Sequence, residues 1–130
     1  MVSWMNRQQV ERPTVVCLCG STRFAATFHE ANLRETLAGR IVLTIGCDMN
    51  SDVDLLLAGE LTTEDKVRLD ELHLRKIDLC DEILVLNVGG YIGQSTRREI
   101  AYARGLGKRV RWWESSALGD EDGGVEVPAW

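Results

Sequence analysis

The sequence predicts an α/β domain on an open, mostly parallel sheet, and two observations carry that prediction. Continuous β-branched apolar runs such as Thr14-Val15-Val16-Cys17-Leu18-Cys19 read as strands buried on both faces, as in parallel sheets. These runs alternate with glycine-bounded helical patterns, which supply the right-handed crossovers that parallel strands need. A flavodoxin- or Rossmann-like three-layer sandwich of about four or five strands fits that alternation. The 130 residues suffice for a single domain with one substantial core. The core is expected over about 14–113, with a loose arm at 1–12 and a loose tail at 114–130.

Composition narrows the function class. With 45% hydrophobic and 27% charged residues, the chain reads as a globular protein. No apolar run approaches the ~20 residues that span a bilayer, so no membrane association is expected. Met1 to Arg7 lacks the apolar core of a secretion signal, which predicts a cytoplasmic protein. A net charge of −5, from 20 acidic and 15 basic residues, argues against tracking a nucleic-acid polymer with a broad basic surface. Cys17, Cys19, Cys47 and Cys80 form no C-x-x-C pair, which agrees with a reducing compartment. Cys17 and Cys19 share one face of a strand and are expected there as small buried apolar residues.

After the first strand comes Gly20-Ser21-Thr22-Arg23. Phe24, Phe28, Ala31, Leu33 and Leu37 then recur at helical spacing until Gly39. Ile41 to Ile45 is the second strand. The polar connection beyond it, through Asp48 and Asp54 to Gly59, lacks the glycine and terminal glutamate of an EF-hand and reads as a solvated loop. Thr62 or Thr63 with Glu64 and Asp65 starts a helix that runs to about Cys80, with Val67, Leu69, Leu72, Leu74, Ile77 and Leu79 as its apolar positions. Ile83 to Asn87 is the third strand, and Gly89 to Gly93 the loop after it. Gln94 to about Gly105 is the next helix, with Ser95 or Thr96 as its expected cap. Arg109 to Trp113 is a fourth strand at the sheet edge. Strand order 2-1-3-4 would place Gly20 to Arg23 opposite Gly89 to Glu99 across one crevice.

A glycine-bearing turn between strand and helix aims backbone N–H groups at an anion, although Ser21 or Thr22 can equally serve only as a helix cap. Glu99, about one turn into its helix, should be kept ionised by the uncommitted N–H groups there. It suits a nucleophile, or else merely complements the helix dipole. Arg23, Arg97 and Arg98 fit a phosphate, or else form a solvated face. Only one of Arg97 and Arg98 should face inward. His73 shares a helix side with Leu69 and Ile77, as a packed residue or a catalytic one.

At these residues the chain resembles the nucleoside 2-deoxyribosyltransferase superfamily, including its 2'-deoxynucleoside 5'-phosphate N-hydrolase branch. The matching segments are Cys19-Gly20-Ser21-Thr22-Arg23, Cys80 to Leu86, Gly93 to Glu99 with Ile100-Ala101-Tyr102-Ala103, and Gly107-Lys108. The resemblance implies an N-glycosidase or deoxyribosyltransferase with Glu99 as nucleophile on the anomeric carbon. It implies that Gly20, Ser21, Thr22, Arg23, Gly93, Ser95, Thr96 and Arg97 hold the sugar and 5'-phosphate of a nucleotide or nucleoside. Two positions depart from the pattern: Cys17 stands for a tyrosine and His73 for an acid. His73 is then the candidate acid for the departing base, Tyr91 a candidate replacement phenol, Asp70 or Asp78 a candidate replacement acid, and Asp48 a candidate base or sugar contact. No metal or redox cofactor is required. A homodimer or larger homo-oligomer is implied, with Trp112, Trp113 and Trp130 as contact points. A phosphoribohydrolase is a neighbouring enzyme reading, loosely echoed by Gly89, Gly90, Gly93, Thr96 and Glu99. The rival class is a module that binds a nucleotide without cleaving it.

Overall fold

A computed structural model describes residues 12–45, 59 and 62–115. Among them are strands β1 (Val15–Cys19), β2 (Ile41–Leu43), β3 (Glu82–Val85) and β4 (Arg109–Trp112). The α-helices are α1 (Ala25–Leu37), α2 (Thr63–Leu79) and α3 (Gln94–Gly105). The sheet runs β2-β1-β3-β4, every pair parallel, with Cys17 beside Ile83 and Cys19 beside Val85. This is the open flavodoxin- or Rossmann-like arrangement that the alternation of patterns predicts, with its order reversing between β1 and β3.

Alternation along the central strands divides the core between the two sheet faces. Cys17, Cys19, Ile83 and Val85 point to the side covered by Ile77 of α2 and by Ile100 and Ala103 of α3. Val16, Leu18, Leu84 and Leu86 point to the side covered by Phe28 and Ala31 of α1. Each fully buried aliphatic side chain contributes about 1.5–3 kcal/mol relative to exposure. These residues therefore fix the sheet register.

Local chemistry sets the helix ends. Thr62 and Asp65 form a reciprocal capping box, each side chain accepting the other's backbone N–H at 3.0 Å, so two otherwise unpaired donors are satisfied. At the far end of α2, the Lys108 ammonium donates to the Cys80 carbonyl at 2.7 Å. The Asp81 carboxylate accepts from Val15 N–H at 2.8 Å and pairs with Arg12 at 2.6 Å. That last residue of the expected arm is thus tied to the core. Glu114 is held as well: its backbone N–H donates to Asn87 Oδ1 at 2.9 Å, and its carboxylate accepts from Gly89 N–H at 3.0 Å. Glu114, the first residue of the expected tail, is thus tied to the β3 loop.

Several expected apolar positions are corrected. Leu33 and Leu37 are 60% and 77% exposed, and α1 buries Glu35 beside Phe28 and Ala31 instead. Glu35 tolerates burial because Arg111 reaches it directly and Arg40 lies 3.3 Å away; Arg111 Nε also donates to Glu82 at 2.8 Å. On α2 the buried positions are His73 and Ile77, while Val67, Leu72 and Leu79 face outward. Ser95 and Thr96 do not cap α3; Gly93 occupies that position without a side-chain bond. Trp112 and Trp113 are half-buried, with the Arg34 guanidinium 4.4 Å from the Trp113 ring centre, and neither is an exposed contact point. Trp130 and Asp48 lie outside the described residues.

Candidate functional site

The loops after β1 and β3 meet at the switch point. Gly20 is required by close approach: a Cβ there would stand 3.1 Å from Leu86 Cβ and 3.3 Å from the Leu86 carbonyl oxygen. Ser21 Oγ accepts the Arg23 N–H at 3.2 Å and opens a short 3-10 turn, Thr22–Phe24, ahead of α1. In the β3 loop, Gly89 and Gly90 take positive φ values of 64° and 83°, which turn the chain sharply after β3. Tyr91 then joins the loops. The Arg23 guanidinium lies 4.5 Å from its ring centre, Phe24 meets it edge-on at 5.9 Å, and its hydroxyl would stand 3.1 Å from a Cβ at Gly93.

Glu99 lies one turn into α3 and turns toward the sheet and α2. Its Oε1 is 3.9 Å from Nε2 of His73, and the two side chains are 14% and 8% exposed. The same His73 nitrogen is 3.6 Å from Cys17 Sγ and 3.5 Å from Cys19 Sγ. The thiols converge because alternate residues of β1 share the face that α2 and α3 cover. Expected as buried apolar residues, both are buried and part of the core, yet both also contact the imidazole.

Burial dominates the electrostatics. It pushes the Glu99 carboxyl up to about 7, against the opposing pull of His73. The helix N-terminus was expected to hold this carboxyl low; desolvation wins instead. For His73, burial works against the charged form, but the Cys17 hydrogen bond and the negative charges of Cys17 and Glu99 raise it above its ordinary value. The hydrogen bond with Cys19 lowers the Cys17 thiol to about 6, and its reciprocal effect, with burial, pushes Cys19 well up. Four groups this close exchange protons as one unit, and a carboxyl near neutrality can serve as a proton donor or, once ionised, as a nucleophile.

An open cleft of about 310 Å³ between α2 and α3 reaches Glu99. The first turns of α2 supply Val67, Asp70, Glu71 and Leu74, while α3 supplies Ser95, Arg98 and Glu99. Arg98, rather than Arg97, is the arginine of this wall. His73 stands behind Glu99, not at the cleft surface. Thr96 is buried, and Gly20 to Arg23 with Tyr91 form the neighbouring pair of loops. Asp70, one helical turn before His73, faces the cleft together with Glu71 and Glu99; Lys66 pairs with Asp70 at 2.9 Å. Its i−3 spacing from His73 was the available signal, whereas the thiol contacts needed the strand register.

No known protein family matches this sequence, and neither a curated protein nor a solved structure does.

Proposed function

We propose that the chain cleaves the N-glycosidic bond of a nucleoside or nucleotide, with a 5'-monophosphate as the favoured substrate, through a covalent intermediate on Glu99. The observation that carries this reading is the placement of the Glu99 carboxylate in the wall of a cleft between α2 and α3, backed by His73 at 3.9 Å. The motif resemblance described above supports it independently. Ionised Glu99 attacks C1', the bond from C1' to the base nitrogen breaks, and the base leaves with that electron pair and gains a proton. Asp70, which lines the cleft beside Glu71, donates it. Water, or a second base, then attacks C1', the bond from C1' to the Glu99 oxygen breaks, and the proton lost by the attacking group returns to Asp70. His73 acts as a positioning residue that sets the charge on Glu99, which revises its expected role at the leaving base. Arg98 and Ser95 line the sugar side, and Arg23, stacked on Tyr91, offers its guanidinium to the phosphate. A cytoplasmic homo-oligomer belongs to the same reading.

A panel of nucleosides and nucleoside monophosphates, followed by chromatography for free base, tests the proposal. Release from at least one member is expected; none from any, by folded protein, counts against it. One observation favours a second reading, a binder without turnover: His73 is set back from the cleft and Asp70 is engaged by Lys66. Calorimetric binding unchanged in Glu99→Gln, with no base released, would select that reading.

A further inference from the structure

Two thiols, an imidazole and a carboxylate converge where the sheet passes beneath α2 and α3. Ligand atoms of Cys17, Cys19 and His73 all lie within 4.8 Å of one another. In a tetrahedral zinc site, bonds of about 2.3 Å to sulfur and about 2.0–2.1 Å to nitrogen place S and N about 3.6 Å apart. His73 Nε2 is 3.6 Å and 3.5 Å from the two sulfurs. The same bond lengths place N and a carboxylate O about 3.3 Å apart, against 3.9 Å for His73 Nε2 and Glu99 Oε1. The Glu99 carboxylate lies outside the 4.8 Å group that the other three form, so it becomes the fourth ligand only when its side chain swings toward the sulfurs.

We propose that Cys17, Cys19, His73 and Glu99 form a binding site for one thiophilic divalent cation, with zinc as the best geometric fit. The donor set selects against calcium and magnesium, which take oxygen ligands, and favours a borderline or soft ion. Ile77, Ile83, Val85 and Ile100 share one buried cluster with Cys17 and Cys19, so both sulfurs are shielded from bulk water. Glu99 lines the cleft and supplies the entry path. On binding, the protons that the two thiols and the imidazole hold among them pass to solvent, and two metal–thiolate bonds and one metal–imidazole bond form. With Glu99 as fourth ligand, the loaded form has no free nucleophile, so the ion and the glycosidase chemistry exclude each other. That consequence rests on the proposed function; the site itself does not.

Cobalt(II) added to metal-free full-length protein tests the site without any activity assay. The expected result is thiolate-to-cobalt charge-transfer absorption and tetrahedral d–d bands that saturate at one equivalent and are bleached by zinc. Cys17→Ser and Cys19→Ser should each remove about half of the charge-transfer intensity, one thiolate of two being lost. Cys80→Ser should leave it intact. Should the serine variants fail to fold, X-ray absorption of the zinc-loaded native protein decides, with two sulfurs expected in the metal shell. A shell of nitrogen and oxygen alone, absent charge-transfer bands in folded protein, or bands indifferent to both serine substitutions would overturn the proposal.

Discussion

His73 Nε2 lies 3.9 Å from Glu99 Oε1 and within 3.6 Å of both Cys17 and Cys19 sulfurs. The imidazole is therefore the hub of the site rather than its surface. It links the central strand to the carboxylate that faces the cleft, and its position depends on α2, α3 and β1 packing together.

Gly20 tests how the β1 loop is seated. In Gly20→Ala the new methyl meets the Leu86 backbone oxygen at 3.3 Å and Leu86 Cβ at 3.1 Å, so neighbouring β3 must give way. A loss of about 1–3 kcal/mol in urea unfolding is expected. The loop that carries Ser21 and Arg23 should shift with it, and any phosphate affinity should fall.

Arg111 neutralises two buried carboxylates, Glu35 and Glu82, with Arg40 as a more distant partner. Arg111→Ala leaves both acids underpaired in a low-dielectric setting, with an expected cost toward the lower end of about 3–5 kcal/mol because Arg40 remains near both and Arg109 near Glu82. Replacing all three by apolar residues should recover much of that loss. Chemical denaturation of the single and triple variants distinguishes a specificity device from a source of stability.

Much of the fold was legible because buried parallel strands leave a continuous apolar signature, and Thr62 with Asp65 marks a helix start by pattern alone. The amphipathic faces were less legible. Leu33, Leu37 and Val67 follow helical spacing yet point outward, because a salt-bridged Glu35 and His73 occupy the inward positions. Glu99 and Ser95 were readable from the loop that precedes them. The choice of Arg98 over Arg97 depends on the rotation of α3, and the His73 thiol contacts on which face of β1 α2 covers.

Asp81 gives the acid limb of stability its sign. The Arg12 hydrogen bond, then that from Val15 N–H, lowers its carboxyl from 3.8 to about 2. Its contribution is present above its unfolded value and is lost as pH falls through the folded one. Stability should therefore decline between about pH 4 and pH 2, and more shallowly in Asp81→Asn. Urea midpoints across that range check the difference in slope.

The central claim is that Glu99 bonds to the sugar. Protein freed of metal is incubated with a nucleoside monophosphate from which it releases base, quenched in acid and digested for mass spectrometry. The account predicts a peptide containing Glu99 that carries the added sugar phosphate, and in Glu99→Gln no adduct with turnover lower by at least about 10³-fold. Base release at an undiminished rate by Glu99→Gln, or an adduct mapped to another residue, would contradict it.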